Sequence, residues 1–194
     1  VIHFFALYHH LTEDQATIQL AKRLGITISE SQSKEELLKE RLIKVTTEAK
    51  NFYHFYLNNS NEGLVAKAYL QKRGIHQQII DQLGIGLASN AKDYLYQALH
   101  AKNCSELDQI EVGLVKLNEK NVAYDVFKER IMFPITNMSG QVVGFSGRVY
   151  KPSDQAKYIN SPETSIFHKG EILYHFYEAL DAVSYTHLRA HETS

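Results

Sequence analysis

"RIMFPITNMSGQVVGFSGRVYK", residues 130–151, consists of two apolar, partly alternating runs separated by a polar turn that contains Ser139 and Gly140. Alternation is the signature of a strand and a glycine-bearing polar break that of a chain reversal, so the stretch predicts an antiparallel β-hairpin. It is also where the chain changes character. Pro134, Pro152 and Pro162 fall inside or after it, whereas the earlier two-thirds is proline-free and rich in helix formers. The expected class is α+β, a helix-rich N-terminal part followed by a small antiparallel β region.

Working back from the hairpin, "IHQQIIDQLG", "AKDYLYQALHAKN" and "SELDQIEVG" predict short helices, and "IGLA" and "LVKL" between them are short enough to be strands. "NEGLVAKAYLQKRG" predicts a further helix. Before it, Leu38, Leu42, Val45, Ala49, Phe52 and Tyr56 step by four and three residues, one apolar stripe along a helix ending near "LNNSNEG". Ser33 and Glu36 have the spacing of a capping box for that helix. "TISESQS" ahead of it reads as a linker, assigned to residues 25–33. A short amphipathic helix is predicted in "LTEDQATIQLAKRLGI", with Thr12 as N-cap, Ala16, Leu20, Ala21 and Leu24 on one face, and Gly25 as its stop.

The 194 residues fit one domain or one domain plus a piece of another, and 44% apolar content suffices for a core. No run of eighteen apolar residues exists, and "VIHFFALYHHLTED" lacks the basic start and cleavage site of a secretory signal, so a cytoplasmic location is expected. Cys104 is the sole cysteine, which excludes an internal disulfide and a thiolate metal cluster; a small buried hydrophobe is its expected role. His3, His9 and His10 lack the i, i+4 spacing of zinc-binding helices, so no metal ligand is assigned.

A net charge of −1 excludes a uniformly basic coat. Local charge tells more. Arg130, Arg148, Lys151, Lys157 and Lys169 face only Asp154 and Glu163 between residues 130 and 170, a segment of net +3. Arg130 and Arg148 bracket the hairpin, and Lys157, Asn160 and Lys169 follow in "KYINSPETSIFHKG", residues 157–170, which has neither helical nor strand period. Cations on a sheet edge and its flanking loop suit phosphate oxygens, because arginine offers a planar fork of donors and lysine a mobile point charge. Gly144 and Gly147 in "GFSGR" permit the close approach of a polyanion or another backbone. On pattern alone the other reading stands equally: the glycines relieve a twisted hairpin and the bases solvate its face.

These strings, "RIMFPITNMSGQVVGFSGR" followed by "KYINSPETSIFHKGEILYHFYEA", resemble the catalytic core of bacterial DNA primase of the DnaG type. "FYHFYLNNSNEGLVAKAYLQKRGIHQQIIDQLGIGLA" resembles the helical entry into that core, and the resemblance extends over residues 1–182. Ser146 stands where the family usually has glycine. The resemblance implies four regions: residues 1–24 as the last helices of a zinc-binding domain, 25–33 as linker, 34–182 as the N-terminal subdomain of the catalytic core, ending before the TOPRIM fold, and 183–194 as a non-native tail. "VSYTHLRAHET" in that tail resembles a translated sequencing adapter; a genuine surface tail is the alternative.

The implied activity is synthesis of short RNA primers on single-stranded DNA from ribonucleoside triphosphates. Mg2+ or Mn2+ and Zn2+ are the family's metals, with their ligands expected outside this chain, and no catalytic residue is assigned within it. Arg148, Lys157 and Lys169 match family positions facing template or nucleotide. Arg130 is a further candidate that a structural pairing would also explain, and Asn160 bonds a phosphate or holds the loop. Phe167 is expected to anchor the loop, while Tyr158 either stacks on a base or packs in the core. The replicative helicase is the expected protein partner, through a region not present here. A non-catalytic single-strand-binding module is the alternative function.

Overall fold

A computed structural model describes residues 2–9, 13–24 and 30–170. The chain divides into two compact units, residues 1–41 and 42–194. In the first, α1 (Ile2–Tyr8) and α2 (Glu13–Arg23) bury Ala6, Ala16 and Ala21. The Arg23 guanidinium lies 5.2 Å from the centre of the Phe5 ring, a cation–π contact. Thr12, Gly25 and the tail at 183–194 lie outside the described residues.

The long helix α3 (Glu30–Asn59) starts before the expected capping box, so Ser33 sits inside the helix and not at its cap. In the second unit its buried face runs through Leu42, Val45, Thr46, Ala49, Tyr53 and Leu57. Of the expected stripe, Leu42, Val45 and Ala49 are buried, whereas Leu38 is half-buried, as are Phe52 and Tyr56, which stack on each other at 6.3 Å. Both 49-52-56 and 49-53-57 satisfy helical spacing, and the sheet selects the second. Thr46, an unmarked polar position, is fully buried because its hydroxyl donates to the Val142 carbonyl at 2.6 Å. This bond meets the cost of burying a hydroxyl.

Helices α4 (Asn61–Gln71), α5 (Gln77–Leu83), α6 (Tyr94–Ala101) and α7 (Glu106–Glu111) follow as expected. Ser60 and Ser105 cap α4 and α7 by accepting from the amides of Gly63 and Asp108 at 3.0 and 3.1 Å. The start of α6 is capped from a distance. Asp125 accepts from the Leu95 and Tyr96 amides at 2.8 and 3.0 Å.

The main sheet is antiparallel, ordered β1 (Gly86–Ala88), β4 (Arg130–Thr136), β5 (Val142–Val149), β6 (Tyr158–Asn160); β2 (Val115–Leu117) and β3 (Ala123–Asp125) form a separate pair. β4 and β5 are the predicted hairpin, closed by a turn in which Asn137 Oδ1 accepts from the Ser139 and Gln141 amides and Gly140 takes φ +75°. β1 pairs only with Arg130 to Met132, so Pro134 falls where that side of β4 has no partner strand, the position at which a missing N–H costs least. Leu57, Leu70, Ile80, Leu87, Ile131 and Phe133 form a core between helices and sheet. Cys104 is buried, 4% exposed, as expected of a small hydrophobe, and burial raises its thiol pKa.

Candidate functional site

The stretch 157–170, without period in the sequence, contains β6. Three residues are too few to show alternation, and what makes them a strand is pairing with β5: Ser146 opposite Asn160, Gly147 opposite Ile159, Arg148 opposite Tyr158. Directly opposed residues share a sheet face, so Arg148 and Tyr158 are in contact. The Arg148 guanidinium carbon lies 5.0 Å from the Tyr158 ring centre and 5.7 Å from that of Tyr69 on α4. Its Nε donates to Tyr69 Oη at 2.8 Å, and Nη1 donates to Tyr158 Oη.

Further cations join this pair of rings. Lys157 Nζ lies 5.9 Å from the Tyr158 ring centre, and the Arg73 guanidinium lies 4.7 Å from that of Tyr69. The result is a basic, aromatic patch built from the C-terminal end of α4, β5 and the start of β6. Lys157 and Arg73 are exposed and Arg148, Tyr69 and Tyr158 half-buried, so the charge borders solvent while the rings root it in the fold.

After β6 the loop is pinned at successive points. Ser161, fully buried, exchanges two bonds with Phe145: its Oγ accepts from the Phe145 amide at 2.9 Å and its own amide donates to the Phe145 carbonyl at 2.8 Å. Pro162 lies over Gly113, where a Cβ would be 2.3 Å from Pro162 Cγ. Thr164 and Phe167 bridge to each other, Ser165 Oγ donates to Glu111 Oε1 at 3.2 Å, and the Lys169 amide donates to Glu163 Oε1 at 2.9 Å. Phe167 is the expected anchor, with no exposed surface, packed with Ile135, Val143 and Ile43.

The structure also resolves the role of "GFSGR". A Cβ on Gly144 would meet the Phe167 ring at 3.1 Å, and one on Gly147 would meet Phe127 Cδ1 at 2.8 Å and Arg130 Cδ at 3.1 Å. These glycines make room for core side chains. Arg130 itself is buried, 3% exposed. It donates through Nη1 to the Gly147 and Ala156 carbonyls at 3.2 and 2.9 Å and through Nη2 to Gln155 Oε1 at 3.1 Å. Burial lowers its pKa from the usual arginine value. Its guanidinium ties the loop after β5 back to the sheet.

Of the sequence candidates, Arg148 and Lys157 therefore come together on one ring, Lys169 lies at the far end of the pinned loop, Asn160 is half-buried opposite Ser146, and Arg130 is inside. Tyr158 supports the two cations. Tyr69 and Arg73 escaped the sequence reading because "AYLQKRG" reads as an ordinary amphipathic helix end. Four-residue spacing of an aromatic and an arginine was the available signal. Among the described residues no three His, Cys, Asp or Glu side chains are grouped to hold a metal ion, and no helix is long and apolar enough to cross a membrane.

Residues 52–180 match the family described as DNA primase catalytic core, N-terminal domain. A DNA primase of Staphylococcus aureus (strain COL) is 34% identical over 176 residues, covering 87% of this chain and 29% of that protein. One of Lactococcus lactis is 34% identical over 190 residues, 96% of this chain and 30% of that protein. The chain thus spans about 30% of the length of these relatives. Among solved structures, the DnaG primase catalytic domain bound to ssDNA is 34% identical with a TM-score of 0.65, covering 71% of this chain and 44% of that one. The Aquifex aeolicus primase, comprising zinc-binding and RNA polymerase domains, is 28% identical with a TM-score of 0.63, covering 88% of this chain and 40% of that one.

Proposed function

The chain belongs to the bacterial DnaG-type DNA primases and carries the N-terminal domain of their catalytic core, and from that premise we propose that it supplies the basic surface along which a primase holds single-stranded DNA template and ribonucleoside triphosphates. The observation that carries this reading is the meeting of Arg148 and Lys157 on the Tyr158 ring at the edge of the sheet. Cations on an aromatic base can hold phosphate oxygens while leaving the bases of a strand unread, the mode suited to a template of any sequence. Lys169 extends the same rim, and Asn160 lies in β6 opposite Ser146. Arg130 acts from within by fixing the loop.

Primer synthesis is attack of a 3′-hydroxyl on the α-phosphate of a ribonucleoside triphosphate, which breaks the α–β phosphoanhydride bond and releases pyrophosphate, and this surface contributes binding and orientation of phosphates. The family's Mg2+ or Mn2+ and Zn2+ do not fit the described residues, which group no ligand set for them; on this reading the metal chemistry and the contact with the replicative helicase belong to other parts of the protein. Residues 1–24 form the end of the zinc-binding domain. That assignment is supported by the greater coverage, 88% against 71%, by the structure that includes this domain.

Fluorescence anisotropy with a labelled single-stranded DNA oligomer tests the proposal. Arg148→Ala and Lys157→Ala should each weaken binding and each reduce the slope of log affinity against log salt by about 0.7. Unchanged affinity and slope in the double variant would refute it.

A further inference from the structure

We propose that Tyr69 and Tyr158 are positioning residues for Arg148: their hydroxyls set the guanidinium so that its Nη2 edge and the two phenol O–H groups converge on one phosphate of the bound strand. This rests on reading Arg148 as a phosphate ligand and specifies how the residue is held for that task.

A guanidinium has five N–H donors in a rigid fork. Two are engaged, Nε with Tyr69 Oη at 2.8 Å and Nη1 with Tyr158 Oη. Among the described residues Nη2 donates to nothing, and no carboxylate pairs with Arg148. The nature of the acceptors decides what the arrangement can do. A carboxylate in either position would fix the fork equally well but cancel its charge, whereas a phenol is neutral and leaves the full positive charge to act on an anion. Each phenol oxygen that accepts from Arg148 also keeps its own proton, so both hydroxyls remain available to donate to the same ligand. The clamp therefore adds donors as it fixes direction.

Three elements converge to make it. Tyr69 comes from α4, Arg148 from β5 and Tyr158 from β6, and Tyr69 packs at the border of the core formed by Leu70, Ile131 and Tyr150. Each ring carries a second cation, Arg73 on Tyr69 and Lys157 on Tyr158, so neither ring turns without losing a cation–π contact. Arginine loses much rotamer freedom when it binds, and a fork already held by two oxygens from separate elements has lost it beforehand.

The test uses the whole chain, with Tyr69→Phe and Tyr158→Phe, which keep the rings and remove the oxygens. Binding to a labelled single-stranded DNA oligomer should weaken about threefold to tenfold for either variant, and neither change should matter once Arg148→Ala is present. Equal loss with and without Arg148, or no loss at all, would overturn the positioning role. Arg148→Ala without effect on binding would instead overturn the phosphate reading, and the proposal with it. A readout independent of DNA is the 15N-edited Nε–H resonance of Arg148: slow exchange in the parent chain and fast exchange in Tyr69→Phe are expected, and equal exchange in the two would show that no clamp exists.

Discussion

Phe167 fills the space above Gly144: three atoms of its ring lie 3.1 to 3.3 Å from where a Cβ of that residue would be. Loop and hairpin are thus joined by a tight fit, in which a methyl group on Gly144 would require the Phe167 ring to shift by a few tenths of an ångström. Gly144→Ala should destabilise the chain by about 1–3 kcal/mol through overpacking, and Phe167→Ala by about 3–5 kcal/mol through the cavity it leaves. Combined, the two should cost less than their sum, since the smaller side chain relieves the crowding. Urea unfolding of the four proteins measures this; strict additivity would mean that the ring does not lie there.

Arg130 separates stability from binding. Arg130→Met removes the donor to Gly147, Ala156 and Gln155 and should cost about 2–4 kcal/mol, because charged hydrogen bonds are lost, one of them to the buried Gly147 carbonyl. Below the melting temperature its salt slope for single-stranded DNA should equal that of the parent chain. A slope lowered by about 0.7 would show that Arg130 reaches a phosphate after all.

Asp125 gives a pH dependence of definite sign. The residue is 4% exposed, and burial raises its carboxyl pKa from 3.8 to about 6 against the opposing effect of the Leu95 and Tyr96 amides. The folded state therefore binds this proton more tightly than the unfolded chain. Its contribution is fully present below about pH 4 and is lost as pH rises through about 6, a loss of up to about 3 kcal/mol. The stability of the parent chain relative to Asp125→Asn should fall over that interval. A carboxyl 13C titration should place the midpoint near 6, and a midpoint near 4 would contradict the burial.

Two hydroxyls are buried without hydrogen-bond partners among the described residues, those of Tyr53 and Ser146. Burial holds the Tyr53 phenol well above its usual pKa. Removing an unsatisfied group relieves its desolvation cost, so Tyr53→Phe and Ser146→Ala should each be neutral or stabilise by about 1 kcal/mol, with a rise in melting temperature. Loss of more than about 1 kcal/mol on either change would reveal a partner.

What could be read in the sequence was what local physics decides. The β4–β5 hairpin follows from alternation and its polar turn, and α4 to α7 from period and punctuation. The misplaced parts share another cause. Ser33 has cap spacing but lies within α3, and Phe52 and Tyr56 fit the stripe as well as Tyr53 and Leu57 until a sheet is packed on one side. β6 is a strand only because Arg148 and its neighbours offer an edge. The candidate site divides likewise: Arg148 and Lys157 were legible as charges near a turn, whereas the interior position of Arg130 and the arrival of Tyr69, 79 residues before Arg148, are products of packing.

The pinned rim 157–170 has a thermodynamic consequence for any strand that lies on it. Its segments are already seated through Ser161, Pro162 and Phe167, so the conformational entropy of arranging this surface is lost during folding and not on association. Affinity then depends chiefly on what the nucleic acid itself must give up, its own flexibility and its counterions. Attachment should accordingly be governed by ionic strength far more than by any rearrangement of the protein.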